Sequence, residues 1–178
     1  LADHLRQRGY DALVDATHAY AAQISANAVA AAAISGVPLL RVEEPAWIAT
    51  PQDRWTEVRD MPDAARALGS AARRVFLTIG RLEIAAFRAA PQHEYLVRAV
   101  DPFEPGLARA RVIAARGPFS VAEERELLEG QAIEVLVTKN AGTQSTYAKI
   151  EAARTLGLSV VMVARPQLPA AETVTTAR

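Results

Sequence analysis

Short apolar runs alternate with longer helical patterns along the chain, and this alternation predicts strands and helices in turn. A parallel sheet covered by helices on both faces gives such a pattern, because its strands are buried on both sides. Strands are predicted at Ala12–Asp15, Leu39–Val42, Trp55–Val58, Val75–Ile79, Tyr95–Val100, Arg111–Ala115, Ile133–Thr138 and Ser159–Val163. Helices are predicted at Ala21–Ser35, Pro62–Ala72, Leu82–Ala89, Ser120–Glu129 and Ser145–Leu156, after an opening helical stretch at Leu1–Arg8.

Local signals mark where several of these helices begin and end. Gly36 and Gly157 follow the first and last long helices, in the position where glycine commonly stops a helix. Ser120 and Glu123 have the capping-box spacing of a helix start. The tail Pro166–Arg178 has two prolines followed by small polar residues, which predicts a loop or a helix cut short.

The predicted elements fall into two groups, which indicates an α/β chain of two lobes. A boundary near Arg73 gives an N-terminal lobe of residues 1–73 and a C-terminal lobe of residues 74–178. The chain starts at Leu1 rather than methionine, and it opens in a helix rather than in a strand with a glycine-rich turn. Because α/β nucleotide-binding domains usually begin with that strand and turn, we expect the first lobe to be incomplete.

Composition narrows the class of protein. The chain is 51% hydrophobic and 22% charged, which predicts a folded core rather than disorder. No apolar run approaches the roughly 18–20 residues that a membrane span needs, and 20 basic against 20 acidic residues leave no electrostatic footprint for nucleic acid. The absence of cysteine fits a reducing compartment. We therefore expect a cytoplasmic protein that binds neither nucleic acid nor membrane.

Polar residues concentrate where predicted strands end, which is where parallel sheets bind ligands. The first such loop contains Asp15, Thr17 and His18 before a long helix. These groups suit a ribose or a phosphate, although Asp15 and Thr17 could instead cap the helix. Near-neutral titration suits His18 for proton donation, and a positioning hydrogen bond is the alternative.

The loop after the strand Ile133–Thr138 is the strongest local signal for a site. Lys139, Asn140 and Gly142 lie between an apolar strand and a helix. Lys139 would act as a point charge for an anion and Asn140 would fix its orientation, whereas the alternative is a solvated turn. Lys139 and Lys149 are the only lysines in a chain that otherwise uses arginine, which also favours a specific role for Lys139.

Two further groups of residues carry candidate chemistry. Arg116 precedes a rigid Gly-Pro turn and Phe119, and its guanidinium suits a carboxylate or phosphate. For Arg98 we expect a salt bridge to Asp101 or Glu104. Trp47 and Trp55 are interpreted as core residues. The sequence contains no G-x-G-x-x-G, Walker, H-E-x-x-H or G-x-S-x-G motif, and its three histidines are too scattered to suggest a metal site.

Taken together, the motifs resemble one known family. The segment Asp15–Ser25 resembles the D-A-T-H-P-F-A-x-x-I-S signature of precorrin-6A reductases and their cobalt-precorrin counterparts. Further matches follow in the family's order: Pro45–Trp47, Asp53–Trp55, Ile79–Arg81, Arg98–Pro102, Ala115–Phe119, Thr138–Gly142, Tyr147–Arg154 and Arg165–Pro166. Ala19, Tyr20 and Thr143 depart from the family pattern, and its N-terminal G-G-T-x-E loop is absent.

The resemblance implies an NADPH-dependent reduction of a ring double bond in precorrin-6A, or in its cobalt form, during cobalamin biosynthesis. It also implies two Rossmann-like lobes with the site in the cleft between them. Apart from the resemblance, we expect a monomer or weak homo-oligomer without a metal site. The implied cofactor residues are Asp15, Ala16, Thr17 and His18, the implied catalytic residues are His18 and Lys139, and the implied substrate residues are Arg81, Arg116, Lys139 and Asn140.

Two other functions remain open at the level of the sequence. The chain could be a non-catalytic tetrapyrrole-binding or interaction fragment that lacks a full cofactor pocket. An unrelated nucleotide-sugar or phosphosugar enzyme with the same fold is the third possibility, because fold alone does not determine function.

Overall fold

The computed structural model describes residues 1–175 and contains two sheets in which every strand pairing is parallel. The strands are β1 Leu13–Asp15, β2 Leu39–Val42, β3 Arg54–Val58, β4 Arg74–Thr78, β5 Glu94–Ala99, β6 Ala110–Ala114, β7 Val135–Lys139, β8 Ser159–Val163 and β9 Glu172–Val174. The α-helices are α1 Ala2–Arg8, α2 Ala22–Ser35, α3 Met61–Ala67, α4 Val121–Gly130 and α5 Ala148–Thr155. Two 3-10 helices span Arg81–Ala89 and Gln144–Thr146.

The α/β class with parallel sheets is confirmed, and each predicted strand lies within about two residues of its observed bounds. The helices differ more from the prediction. The helix predicted at Pro62–Ala72 ends at Ala67, and the one predicted at Leu82–Ala89 is a 3-10 helix. The helix predicted at Ser145–Leu156 is divided into a 3-10 turn and α5.

The chain forms two compact units whose boundaries differ from the predicted division at Arg73. The first unit combines Leu1–Ala46 with the segment that starts at Arg165, and the second unit is Trp47–Ala164. Residues 47–73 belong to the second unit because β3 pairs with β8 along its whole length and α3 packs against both strands. Arg54 pairs with Ser159, 105 positions later in the chain. A pairing over this distance leaves no composition signal in the sequence, so the boundary could not be predicted from it.

The first unit contains a three-stranded sheet in the order β1-β2-β9. The expectation of a loop or a broken helix in the tail is wrong for Glu172–Val174, which pairs with β2 in the register Leu40↔Glu172. The open edge of β2 supplies the hydrogen-bonding partner that turns this short polar segment into a strand. Residues 176–178 of the predicted tail lie outside the part that the structure describes.

The second unit contains a six-stranded sheet in the order β3-β8-β7-β4-β5-β6. Its central strands are apolar on both faces: Val75, Phe76, Leu77, Leu136 and Val137 are all completely buried. Because the strands are parallel, their carboxyl ends lie along one edge of the sheet. This edge collects the loops that carry most of the candidate side chains.

Candidate functional site

An open cavity of about 530 Å³ lies at the carboxyl edge of the six-stranded sheet. Its lining residues come from the ends of β4 and β5, the segment after β6, and the starts of α4 and α5: Thr78–Arg81, Arg98–Asp101, Ala115, Phe119, Glu124, Thr146 and Lys149. A second cavity of about 500 Å³ is lined at the opposite edge by Arg74, Arg109 and Arg111 among others. We favour the carboxyl edge, because loops and helix starts converge there in parallel sheets.

Arg98 and Glu124 form a buried ion pair in this cavity. Two guanidinium nitrogens of Arg98 donate to the two carboxylate oxygens of Glu124, at 2.6 and 2.8 Å. The guanidinium carbon also lies 4.0 Å from the centre of the Phe119 ring. The expectation of a bridge to Asp101 or Glu104 is therefore wrong. Glu124 is the better partner because α4 places its carboxylate in the core, where two charge-assisted hydrogen bonds are not weakened by water.

The start of α4 is fixed by the capping box that the sequence predicted. The Ser120 hydroxyl accepts a hydrogen bond from the Glu123 backbone N–H at 3.2 Å, and the Glu123 carboxylate accepts one from the Ser120 N–H at 2.7 Å. The following residue, Glu124, is 2% exposed. A local sequence signal thus sets the helix start, and the helix start sets which carboxylate is buried beside Arg98.

Lys149 is a buried cation for which the sequence predicted no specific role. Its side chain lies in the first turn of α5 and is 6% exposed. The Nζ atom donates to the Thr146 carbonyl at 2.6 Å and lies 5.2 Å from the centre of the Trp47 ring. Burial lowers the pKa of Lys149 to about 8; Glu124 opposes this shift and Arg98 adds to it. The rarity of lysine in this arginine-rich chain was the one sequence feature that could have indicated a role for Lys149.

Lys139 is half-buried at the end of β7 and is already paired. Its Nζ donates to the Glu83 carboxylate at 2.8 Å, and the same carboxylate oxygen accepts the Gly80 N–H at 3.0 Å. Glu83 thus ties Lys139 to the loop that contains Arg81, which is exposed and lines the cavity. Arg116, after β6, is exposed.

Asn140 is buried and has a structural partner within the second unit. Its side-chain oxygen accepts the Trp47 backbone N–H at 2.7 Å, and its amide nitrogen donates to the Trp47 carbonyl at 2.9 Å. The Asn140 amide thus satisfies both backbone groups of Trp47, as a neighbouring β-strand would. The solvated turn considered as an alternative is not what the structure shows at this position, because Asn140 is only 8% exposed.

The Asp15–His18 loop belongs to the first unit and ends β1. Asp15 accepts hydrogen bonds from the Thr17 hydroxyl at 2.7 Å and from the Arg41 guanidinium at 3.3 Å. Burial alone would raise the pKa of Asp15, but the bonds from Thr17, Ser25 and Arg41 outweigh it and lower the pKa. The Nδ1 atom of His18 accepts the Tyr20 backbone N–H at 3.2 Å, so the neutral ring carries its proton on Nε2.

The start of α2, next to this loop, has no capping side chain. Its N-cap residue is Ala21, which makes no side-chain capping hydrogen bond, and the first turn contains no acidic residue. The alternative that Asp15 and Thr17 cap this helix is therefore wrong. Uncapped N–H groups at a helix start suit an anion such as a phosphate.

Among residues 1–175, no group of three or more His, Cys, Asp or Glu side chains is arranged to hold a metal ion. Within the same residues, no helix has the length and apolar character needed to cross a membrane.

Comparisons with known proteins identify the family. A sequence model described as "Precorrin-6x reductase CbiJ/CobK" matches residues 1–178. The precorrin-6A reductase of Rhodobacter capsulatus is 49% identical over 172 residues, which cover 96% of this chain and 68% of that protein. The corresponding protein of Rhodococcus erythropolis is 45% identical over 176 residues, covering 98% and 71%.

More distant and structural relatives agree. The cobalt-precorrin-6A reductase of Priestia megaterium is 31% identical over 180 residues, covering 94% of this chain and 70% of that protein. A solved structure, "CobK precorrin-6A reductase", superimposes with a TM-score of 0.92 at 48% identity and covers 97% of this chain and 69% of its own. The chain therefore belongs to the CbiJ/CobK precorrin-6x reductase family.

Proposed function

We propose that this chain reduces a ring double bond of precorrin-6A, giving precorrin-6B, with NADPH as the reductant. The observation that carries this proposal is a cation-lined cavity at the carboxyl edge of the sheet, in a chain whose relatives are named precorrin-6A reductases. These relatives favour a reductase over a non-catalytic fragment. We expect the protein to act in the cytoplasm as a monomer or weak homo-oligomer.

For the substrate side, we propose Arg81, Arg116, Lys139 and Asn140. A corrin precursor is a large flat ring fringed with carboxylates, and arginine side chains bind carboxylates through two hydrogen bonds at once. Arg81 and Arg116 are exposed at the carboxyl edge of the sheet and suit this role. We assign Asn140 an indirect part, because its bonds to Trp47 fix the loop in which Lys139 lies.

For Lys139 we propose a catalytic role through electrostatics. The Glu83 carboxylate holds its ammonium group beside Gly80 at the cavity edge. An anionic group of the substrate could take over part of that pairing. A fixed positive charge would then orient the ring and stabilise negative charge that develops during reduction.

For the cofactor side, we propose Asp15, Ala16, Thr17 and His18. The uncapped start of α2 fits a phosphate group, and Asp15 holds the preceding turn through Thr17. The Nε2–H of His18 can donate a hydrogen bond to a bound dinucleotide. When bound, NADPH supplies the hydride, and the chain's own residues position the reactants.

A single-turnover assay tests the function. The chain is mixed with NADPH and precorrin-6A, and the absorption of the ring is followed. We expect NADPH oxidation and ring reduction in equal amounts; no change in the ring would contradict the proposal.

Matched arginine variants test the location. Arg81→Ala should weaken precorrin-6A binding, whereas Arg109→Ala, at the opposite edge of the same sheet, should not. Equal effects of the two variants would count against the carboxyl-edge site.

A further inference from the structure

The carboxyl-edge cavity is lined by three charged side chains, two of them buried, that the proposed function leaves unassigned. They are Arg98, Glu124 and Lys149, all of which line the cavity. Arg98 and Glu124 pair with each other through two short hydrogen bonds. Lys149 is thus the third charge beside an already neutralised pair.

The ammonium group of Lys149 has no carboxylate of its own. Its protein hydrogen bond among residues 1–175 goes to a neutral acceptor, the Thr146 carbonyl, and it forms no ion pair within that part of the chain. An ammonium has three N–H bonds, so the group retains donors for a molecule in the cavity. The geometry is that of a donor held at the wall of a binding site.

This environment makes the proton of Lys149 easy to lose. A buried cation beside a neutralised pair lacks the water that would stabilise its charge. The positive charge of Arg98 lowers the pKa of Lys149 further, and the negative charge of Glu124 raises it. The net result is a Lys149 pKa of about 8. Groups with a pKa near the working pH transfer protons best.

We propose that Lys149 is the proton donor of the ring reduction, an inference that rests on the proposed function. Reduction of a carbon–carbon double bond needs a hydride on one carbon and a proton on the other. NADPH provides the hydride, and the π bond of the ring breaks. One N–H bond of Lys149 breaks as the second C–H bond forms. The neutral amine then regains a proton from solvent.

The alternatives within the chain suit this role less well. His18 is exposed and is not among the residues that line this cavity. Arg81 and Arg98 line the cavity, but guanidinium groups do not release protons in proteins. Lys139 is held at the cavity edge by the Glu83 carboxylate, whereas Lys149 lines the cavity itself.

An NMR titration of the lysine side chains measures the pKa of Lys149 without any catalytic turnover. The chain contains only Lys139 and Lys149, so isotope-labelled lysine gives two side-chain signals. The signal that disappears in Lys149→Met is expected to titrate near pH 8. Titration of that signal near the ordinary lysine value, about 10.4, would overturn the proposal.

Kinetics with NADPH and precorrin-6A test the chemical role. Lys149→Met is expected to lower kcat by roughly 10²- to 10⁴-fold, the usual contribution of a positioned acid, with NADPH binding unchanged. The alkaline limb of the pH profile of kcat should disappear as well. A Lys149→Met variant with full turnover would overturn the proposal.

Lys149→Arg separates proton donation from charge. It keeps a buried cation, and it also serves as the test if Lys149→Met does not fold. We expect Lys149→Arg to bind precorrin-6A and NADPH but to turn over slowly, because arginine keeps its proton. Restored turnover would show that only the charge matters and would overturn the proposal. No ring reduction by the unmodified chain would instead reject the proposed function, while the NMR titration would still report on Lys149.

Discussion

The Glu124 carboxylate accepts hydrogen bonds from both terminal nitrogens of Arg98, at 2.6 and 2.8 Å, although the two residues lie 26 positions apart in sequence. Phe119 stacks on the guanidinium at 4.0 Å, so an aromatic ring, a cation and a carboxylate are fixed together at the cavity. A surface held in this way is ordered before a ligand arrives, which lowers the cost of binding.

Removing the charge of Glu124 should destabilise the protein strongly. Glu124→Gln leaves the Arg98 guanidinium buried without its carboxylate, and we expect a loss of about 3–5 kcal/mol in the free energy of unfolding. Urea denaturation measures this loss. The control is Glu94→Gln, which breaks a pair with Arg74 whose side chains are 58% and 53% exposed. That loss should be less than about 1 kcal/mol, and equal losses would contradict the prediction.

Replacing Asn140 with alanine should affect stability through the Trp47 backbone. Asn140→Ala removes both hydrogen bonds to Trp47 and leaves its N–H and carbonyl without these partners. We expect a loss of roughly 1–3 kcal/mol in the free energy of unfolding, measured by urea denaturation. Asn27→Ala, at an exposed position on α2, is the matched control and should change stability little. An unchanged stability of Asn140→Ala would refute a structural role for this side chain.

Lys139 and Glu83 should have opposite effects on substrate binding. Lys139→Ala removes the proposed point charge, so precorrin-6A binding should weaken by on the order of 1–3 kcal/mol, measured as the Michaelis constant. Glu83→Gln instead releases the ammonium from its carboxylate. This variant should bind precorrin-6A at least as well as the unmodified chain. If both variants bound the substrate equally poorly, the ion pair would be structural and Lys139 would not be a ligand.

Because of His93, the free energy of unfolding should decrease as the pH is lowered. The ring is completely buried, and burial lowers its pKa below the ordinary 6.5. The unfolded chain therefore takes up a proton before the folded chain does, and stability is lost as the pH falls below about 6.5 through the lower folded pKa. The slope should approach 1.4 kcal/mol per pH unit at most, about the value for one proton.

The control for this pH dependence is His4, which is exposed. His93→Gln should remove the acid-linked decrease, measured as the free energy of unfolding against pH, whereas His4→Gln should keep it. Asp15 and Asp53 also have lowered pKa values, but their contributions are lost only below the ordinary carboxyl value of 3.8. A decrease that persisted in His93→Gln would assign it to another group.

The sheet could be predicted from sequence because its central strands are apolar on both faces. Val75–Leu77 and Val135–Val137 are continuous apolar runs, and this pattern depends on no distant residue. β9 was missed because three residues with two prolines nearby resemble a loop until β2 is placed beside them. Strand identity at a sheet edge depends on the neighbouring strand more than on local propensity.

The site was predictable in position more than in its contacts. Parallel strands place their end loops at one edge whatever the side chains do, and Arg81, in one of these loops, lines the cavity. The partner of Arg98 depended on which face of α4 is buried, and the sequence pointed to nearer carboxylates instead. The burial of Lys149 is a tertiary property, since the same helix also presents exposed residues such as Glu151 and Thr155.

The pairing of β9 with β2 has a consequence for how the protein is made. The first unit is built from both ends of the described chain, with the second unit encoded between them. During synthesis, β3 to β8 are all available once Val163 has emerged, whereas β2 must wait for Glu172–Val174 to complete its sheet. A nonsense mutation or proteolytic cut near residue 170 would therefore damage the N-terminal sheet, far away in sequence, and would leave every strand of the larger sheet intact.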